Sequence, residues 1–83
     1  MRLDLRHALL DNTIFNGADL TGALLNDSKG SNTSYMGANL SRTDWGGSPT
    51  LARGADLRGA DLTQSDLAAV DFTGAIFRSA TFN

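Results

Sequence analysis

The stretch Ala55–Phe77, "ADLRGADLTQSDLAAVDFTGAIF", repeats one short unit every five residues. Five matches neither the helical period of 3.6 nor the strand period of 2. In a helix a step of five turns the backbone by about 500°, which scatters the large residues around the cylinder. In a straight strand an odd period sends them to alternate faces. One set is buried only if each unit is locally extended and then turns a corner. Ala and Leu, two apart, then share the inward side, and the corner falls at the Gly or polar residue that follows. Successive coils stack through backbone hydrogen bonds at about 4.8 Å. Each coil touches only its neighbours, which makes the molecule a solenoid.

The repeat runs through nearly all 83 residues. Its centres are Leu5, Leu10, Phe15, Leu20, Leu25, Gly30, Tyr35, Leu40 and Trp45, then Ala52, Leu57, Leu62, Leu67, Phe72, Phe77 and Phe82. The step from Trp45 to Ala52 is seven, so two residues are inserted near 46–51. Of 18 Leu, Phe, Tyr and Trp residues, 14 sit at centres, a bias that fixes the register. Small residues stand two before the centre, Asp or Asn one before, and Gly often two after.

The units "ADLTG", "ANLSR", "ADLRG", "ADLTQ", "SDLAA" and "VDFTG" resemble the A-(D/N)-(L/F)-(S/T/R)-X units of the pentapeptide-repeat family. The resemblance covers roughly residues 3–83. It implies an all-β fold, a right-handed quadrilateral parallel β-helix with four units per coil. Residues 1–83 are then one domain of about four coils, a rod on the order of 20 Å long.

Within that frame the exceptions carry the information. Gly30 and Ala52 fall in one column with Leu10 and Phe72, and would leave a void, which is costly. Leu51 is expected to turn inward from the "GGSPTLA" insertion and fill it. "NDSKGSNTS" (26–34) reads as a second irregular, looped stretch projecting from the same side. Leu9, Ile14 and Leu24 replace the rim Asp near the N-terminal end and are candidates for an apolar contact patch. The sequence shows no terminal amphipathic helix, whereas many family members carry a C-terminal capping or dimerising segment. An open ladder edge invites pairing, so Phe77 and Phe82 are candidates for an end-to-end homodimer contact.

Chemistry is sparse. There is no cysteine and one histidine, so a thiolate metal site is excluded and a His7-centred site or Ser-His-Asp triad has little support. The Asp repeat reads as scaffold, not as paired catalytic carboxylates, and the glycines lack a phosphate-loop pattern. The sequence predicts no enzyme and no cofactor. Net charge is −2, which argues against direct nucleic-acid binding. No run approaches the ~20 apolar residues of a membrane span and no signal peptide is evident, so a cytoplasmic protein is expected.

Three functions fit. The first is a protein–protein interaction module with an unnamed protein partner. The second, implied by the resemblance, is a DNA mimic that binds DNA gyrase or topoisomerase IV and protects it from quinolones. Such a mimic presents excess negative charge to a basic saddle. Asp19, Asp61, Asp56, Asp66 and Asp71 are the candidate residues. The third is a structural spacer or a fragment of a larger repeat protein.

Overall fold

The computed structural model describes residues 2–47 and 49–83. No helix occurs among them. The strands are β1 (Lys29–Ser31), β2 (Thr50–Arg53) and β3 (Val70–Asp71), paired in parallel in that order. Isolated parallel bridges extend the pairing over most of the sequence. Together they form four ladders. Asp4, Leu24, Asp44 and Asp66 make one, and Leu9, Lys29, Leu51 and Asp71 the next. Ile14, Ser34, Asp56 and Ile76 make the third, and Asp19, Asn39, Asp61 and Thr81 the fourth. Successive partners are 20 residues apart, and 22 apart where the pair spans 46–51 (Lys29 with Leu51, Asp44 with Asp66). Four five-residue units therefore separate one rung from the next. The Cα atoms span 27 × 27 × 20 Å.

The corners explain the period. Fifteen residues have φ between 58° and 86°, and every one lies two after a centre, from His7 and Asn12 to Gly74 and Ser79. After most centres the amide three residues on donates back to the centre's carbonyl, as in Ala8 N to Leu5 O at 3.1 Å and Ala38 N to Tyr35 O at 3.0 Å. These are β-turns with positive φ at the third residue. Glycine enters that conformation without a Cβ penalty, and Asn and Asp tolerate it better than most residues. Ala69 has neither advantage and still adopts φ 67°.

The core is the inward file of centres and small residues. Leu25, Leu40, Leu57 and Trp45 are fully buried, and so are Ala23, Ala55 and Ala60. The column Leu10, Gly30, Ala52, Phe72 exists as the spacing predicts, with Gly30 paired to Ala52. Leu51 does not fill its gap. It stands on the rim, partly exposed, in register with Lys29 and Asp71. Thr50 turns inward instead and is buried, taking the small-residue position; its hydroxyl accepts from Asp27 N and donates to Trp45 O, both at 2.9 Å. The column is closed by other side chains. A methyl group built on Gly30 would collide with Thr33 Oγ1, which is turned over it and donates to Leu10 O at 2.7 Å. The Trp45 ring lies 5.8 Å from that of Tyr35 and 5.9 Å from that of Phe72, spanning the level of Ala52. A run of touching rings thus passes through the rod: Phe15, Tyr35, Trp45, Phe72, Phe77 and Phe82.

The stretch 26–34 does not loop out. It contributes β1 and a corner at Asp27 and keeps the ladder spacing.

Because a left-handed conformation costs an L-residue roughly 1–2 kcal/mol, Ala69→Gly is expected to stabilise the fold by about 1 kcal/mol. Gly59→Ala should cost a similar amount, since an added Cβ meets only Gly37 backbone at ordinary distance and the φ of 69° is the sole obstacle. Urea denaturation of the two variants checks both; shifts of the opposite sign would refute the corner argument.

Candidate interaction surface

The outer surface is built from the residue on either side of each centre, since both point away from the core. Asp or Asn before the centre does a local job first. Its Oδ1 accepts the backbone N–H two residues on, at 2.9–3.1 Å, in Asp4, Asp19, Asn39, Asp44, Asp56, Asp61, Asp66 and Asp71. That N–H opens the corner turn and has no ladder partner of its own. The Asx carboxylate or amide oxygen satisfies it, as in an Asx-turn. Where Thr or Ser follows the centre, its hydroxyl donates to the same oxygen, as at Thr21, Ser41 and Thr73.

Two ladders lack this device on their first two rungs, where Leu9 and Lys29, and Ile14 and Ser34, occupy the rim. At the second rung the amide is held from the rung before. Ser31 N donates to Asp11 Oδ1 at 2.8 Å, and Met36 N to Asn16 Oδ1 at 3.1 Å. Asn26, beyond Leu24, instead donates to Gly46 O at 2.8 Å and to Asp44 at 3.2 Å. Sequence reasoning did not reach Asp11 and Asn16. Their signal is an Asx just after a centre, 18 residues ahead of a rim position without one.

The apolar candidates stand on three different ladders. Leu9 is 82% and Ile14 72% exposed, on adjoining ladders of the first rung, and Leu24 is half-buried between Asp4 and Asp44. The acidic candidates are likewise distributed. Asp19 and Asp61 share a ladder with Asn39 between them, while Asp56, Asp66 and Asp71 lie on the other three. Their charges are unequally free. Arg58 grips Asp56 with two parallel bonds, Nε to Oδ1 at 2.9 Å and Nη2 to Oδ2 at 2.6 Å. Arg53 Nε reaches Asp71 at 2.7 Å across the rungs. Asp4 is paired with Arg6, and Asp27 with both Lys29 and His7. Phe77 and Phe82 lie together, with ring centroids 5.4 Å apart and Phe82 half exposed. Among the described residues no cluster of His, Cys, Asp or Glu comes together that would hold a metal ion.

Hydrogen bonds lower several carboxyl pKa values. Thr73's hydroxyl and amide, then Arg53, bring Asp71 from 3.8 to about 2. Arg6's side-chain and backbone bonds bring Asp4 to about 2. Asp19 and Asp61 are lowered by Thr21 and Thr63, and Asp56 by Arg58.

A solenoid of five-residue units with inward Ala–Leu pairs, left-handed corners and Asx-capped turns defines a class of right-handed β-helix. The protein belongs to the pentapeptide repeat family. The family model matches it with eight copies over residues 2–28 and 52–83. Solved structures share the fold. A pentapeptide repeat protein from the cyanobacterium Cyanothece 51142 is 24% identical, over 100% of this sequence and 52% of its own, with a TM-score of 0.53. One from Nostoc PCC 7120 is 32% identical, over 89% of this sequence and 64% of its own, with a TM-score of 0.51. QnrB1, a plasmid-mediated fluoroquinolone resistance protein, is 18% identical, over 96% of this sequence and 38% of its own, with a TM-score of 0.67. The present sequence thus spans between about two fifths and two thirds of these proteins. No curated protein matches it significantly.

Carboxylates with lowered pKa stabilise the folded state above their unfolded pKa and cease to do so as pH falls through the folded value. Stability is therefore expected to hold near neutral pH and to decline between 3.8 and about 2, the range set by Asp71. Urea midpoints measured across that interval check this; an unchanged midpoint would show that the turn bonds do not depend on ionised carboxylates.

Proposed function

We propose that this protein is a non-enzymatic, cytoplasmic protein–protein interaction module, a quadrilateral rod of about four coils. The four ladders, 20 residues per step, support that shape. One observation carries the interaction reading. Leu9 and Ile14 stand 82% and 72% exposed, at a position that holds Asp or Asn in half of the units. They belong to neither the core nor the turn bonds. Their apolar side chains cannot accept the amide two residues on, so they take no part in the turn capping that the rim Asx residues perform. Exposed side chains without a scaffold role are available for contact with a partner.

The decisive comparison is the double variant Leu9→Asp/Ile14→Asp. Surface changes are usually within about 0.5 kcal/mol, so its urea midpoint should match the wild type. Its affinity for a partner identified by crosslinking should fall about tenfold or more, the loss of roughly 1.4 kcal/mol of contact. Equal affinity of the two proteins would remove Leu9 and Ile14 from the interface.

A second reading is DNA mimicry towards gyrase or topoisomerase IV. It draws on the Asp19–Asn39–Asp61 ladder, whose carboxylates bond to Thr21 and Thr63 and not to a base, and on the shape shared with a fluoroquinolone resistance protein. The pairing of Asp56 and Asp71 with arginines weakens it. A gyrase supercoiling assay with a quinolone should show protection that Asp19→Asn/Asp61→Asn abolishes. The absence of any effect of the wild type would dispose of this reading.

A further inference from the structure

We propose that Asn16–Gly17 is a latent self-modification site, at which the protein converts its own asparagine to aspartate or isoaspartate once the first rung opens. It is the only Asn-Gly step in the sequence; Asn12, Asn26, Asn32 and Asn39 are followed by Thr13, Asp27, Thr33 and Leu40, whose larger groups crowd the following amide. Asn16 and Gly17 are exposed at a corner, and the Cα of Gly17 faces open space, with nothing within 4 Å of where a Cβ would lie. The chemistry needs only water. Gly17 N loses its proton and attacks Asn16 Cγ. A bond forms between those two atoms, the bond from Cγ to Nδ2 breaks, and ammonia leaves carrying that proton equivalent. The resulting five-membered succinimide then takes up one water. Opening at one carbonyl gives aspartate; opening at the other gives isoaspartate, with the backbone rerouted through Cβ and Cγ. No electron changes hands.

In the folded protein one residue holds both reacting groups. Met36 N donates to Asn16 Oδ1 at 3.1 Å, and Met36 O accepts from Gly17 N at 2.8 Å. Ser34 Oγ donates to the same Asn16 oxygen. The nucleophilic nitrogen is thus tied into the ladder and the electrophilic amide is fixed in its role as cap. Ring closure requires both bonds to Met36 to break, which is a local opening of the first rung from the second. The two products differ in consequence. Aspartate keeps an acceptor for Met36 N and adds a negative charge beside Ile14. Isoaspartate lengthens the backbone at a corner whose φ is 69° and disrupts the spacing of the ladder.

The test compares the folded protein with a synthetic peptide of residues 12–20 at mildly alkaline pH. Peptide mass spectrometry and enzymatic isoaspartyl methylation read residue 16. The peptide should react, and the folded protein should react more slowly by about tenfold or more. Leu10→Ala, which empties a buried site on the first rung, should raise the protein's rate by about tenfold or more, even if it unfolds that rung entirely. Ser34→Ala, which removes one bond to the amide, should raise it by roughly two- to tenfold in a folded protein. An unreactive peptide would show that there is no site. A folded protein as fast as the peptide, or no acceleration in either variant, would show that Met36 does not gate it.

Discussion

Everything in this molecule depends on a backbone that enters the left-handed region once every five residues. That corner returns each extended segment to the inside, so that an Ala–Leu pair can be buried again. It also sets the 20-residue step at which the ladders register. The corner is closed by two bonds of different kinds. The centre's carbonyl takes the amide three residues on, and the rim Asx takes the amide between them. Asp is frequent here because it satisfies a backbone donor that the ladder leaves over. The acidity of the surface is a by-product of that requirement, and arginines across or along the rungs offset much of it.

The sequence disclosed the architecture because its period is incompatible with any regular element other than a cornered coil. The column Leu10, Gly30, Ala52, Phe72 was also legible, since counting by fours places those residues together. What filled the column was not. The insertion shifts the phase of the repeat by two residues, and a phase change does not announce which residue points inward. Thr50 takes that position because its hydroxyl can bridge Asp27 N and Trp45 O, a pairing defined only once the rungs are stacked. Leu51 follows on the rim by alternation along β2. The stack of Phe15 on Tyr35 follows from their shared column, but the run beyond it was illegible for a similar reason, as Tyr35, Trp45, Phe72, Phe77 and Phe82 pass from column to column and meet only through their depth in the core.

The candidate surface divides in the same way. That Asp belongs to the scaffold could be read from its periodicity. Which Asp residues are neutralised depends on Arg53 reaching across from the rung before Asp71, and on the geometry of Arg58 against Asp56. The substitution of Asp11 and Asn16 for missing caps depends on a bond to a residue 20 positions away. Membership of the pentapeptide repeat family settles the fold.

The ladder bonds all run between neighbouring rungs, roughly parallel to the axis of the rod. Tension applied along that axis therefore loads the bonds of each rung gap together, whereas tension applied to a terminus peels one corner at a time. The same protein is mechanically stiff when loaded along its axis as a block and compliant when peeled corner by corner. A partner that grips several rungs of a ladder at once meets the rod as a rigid body.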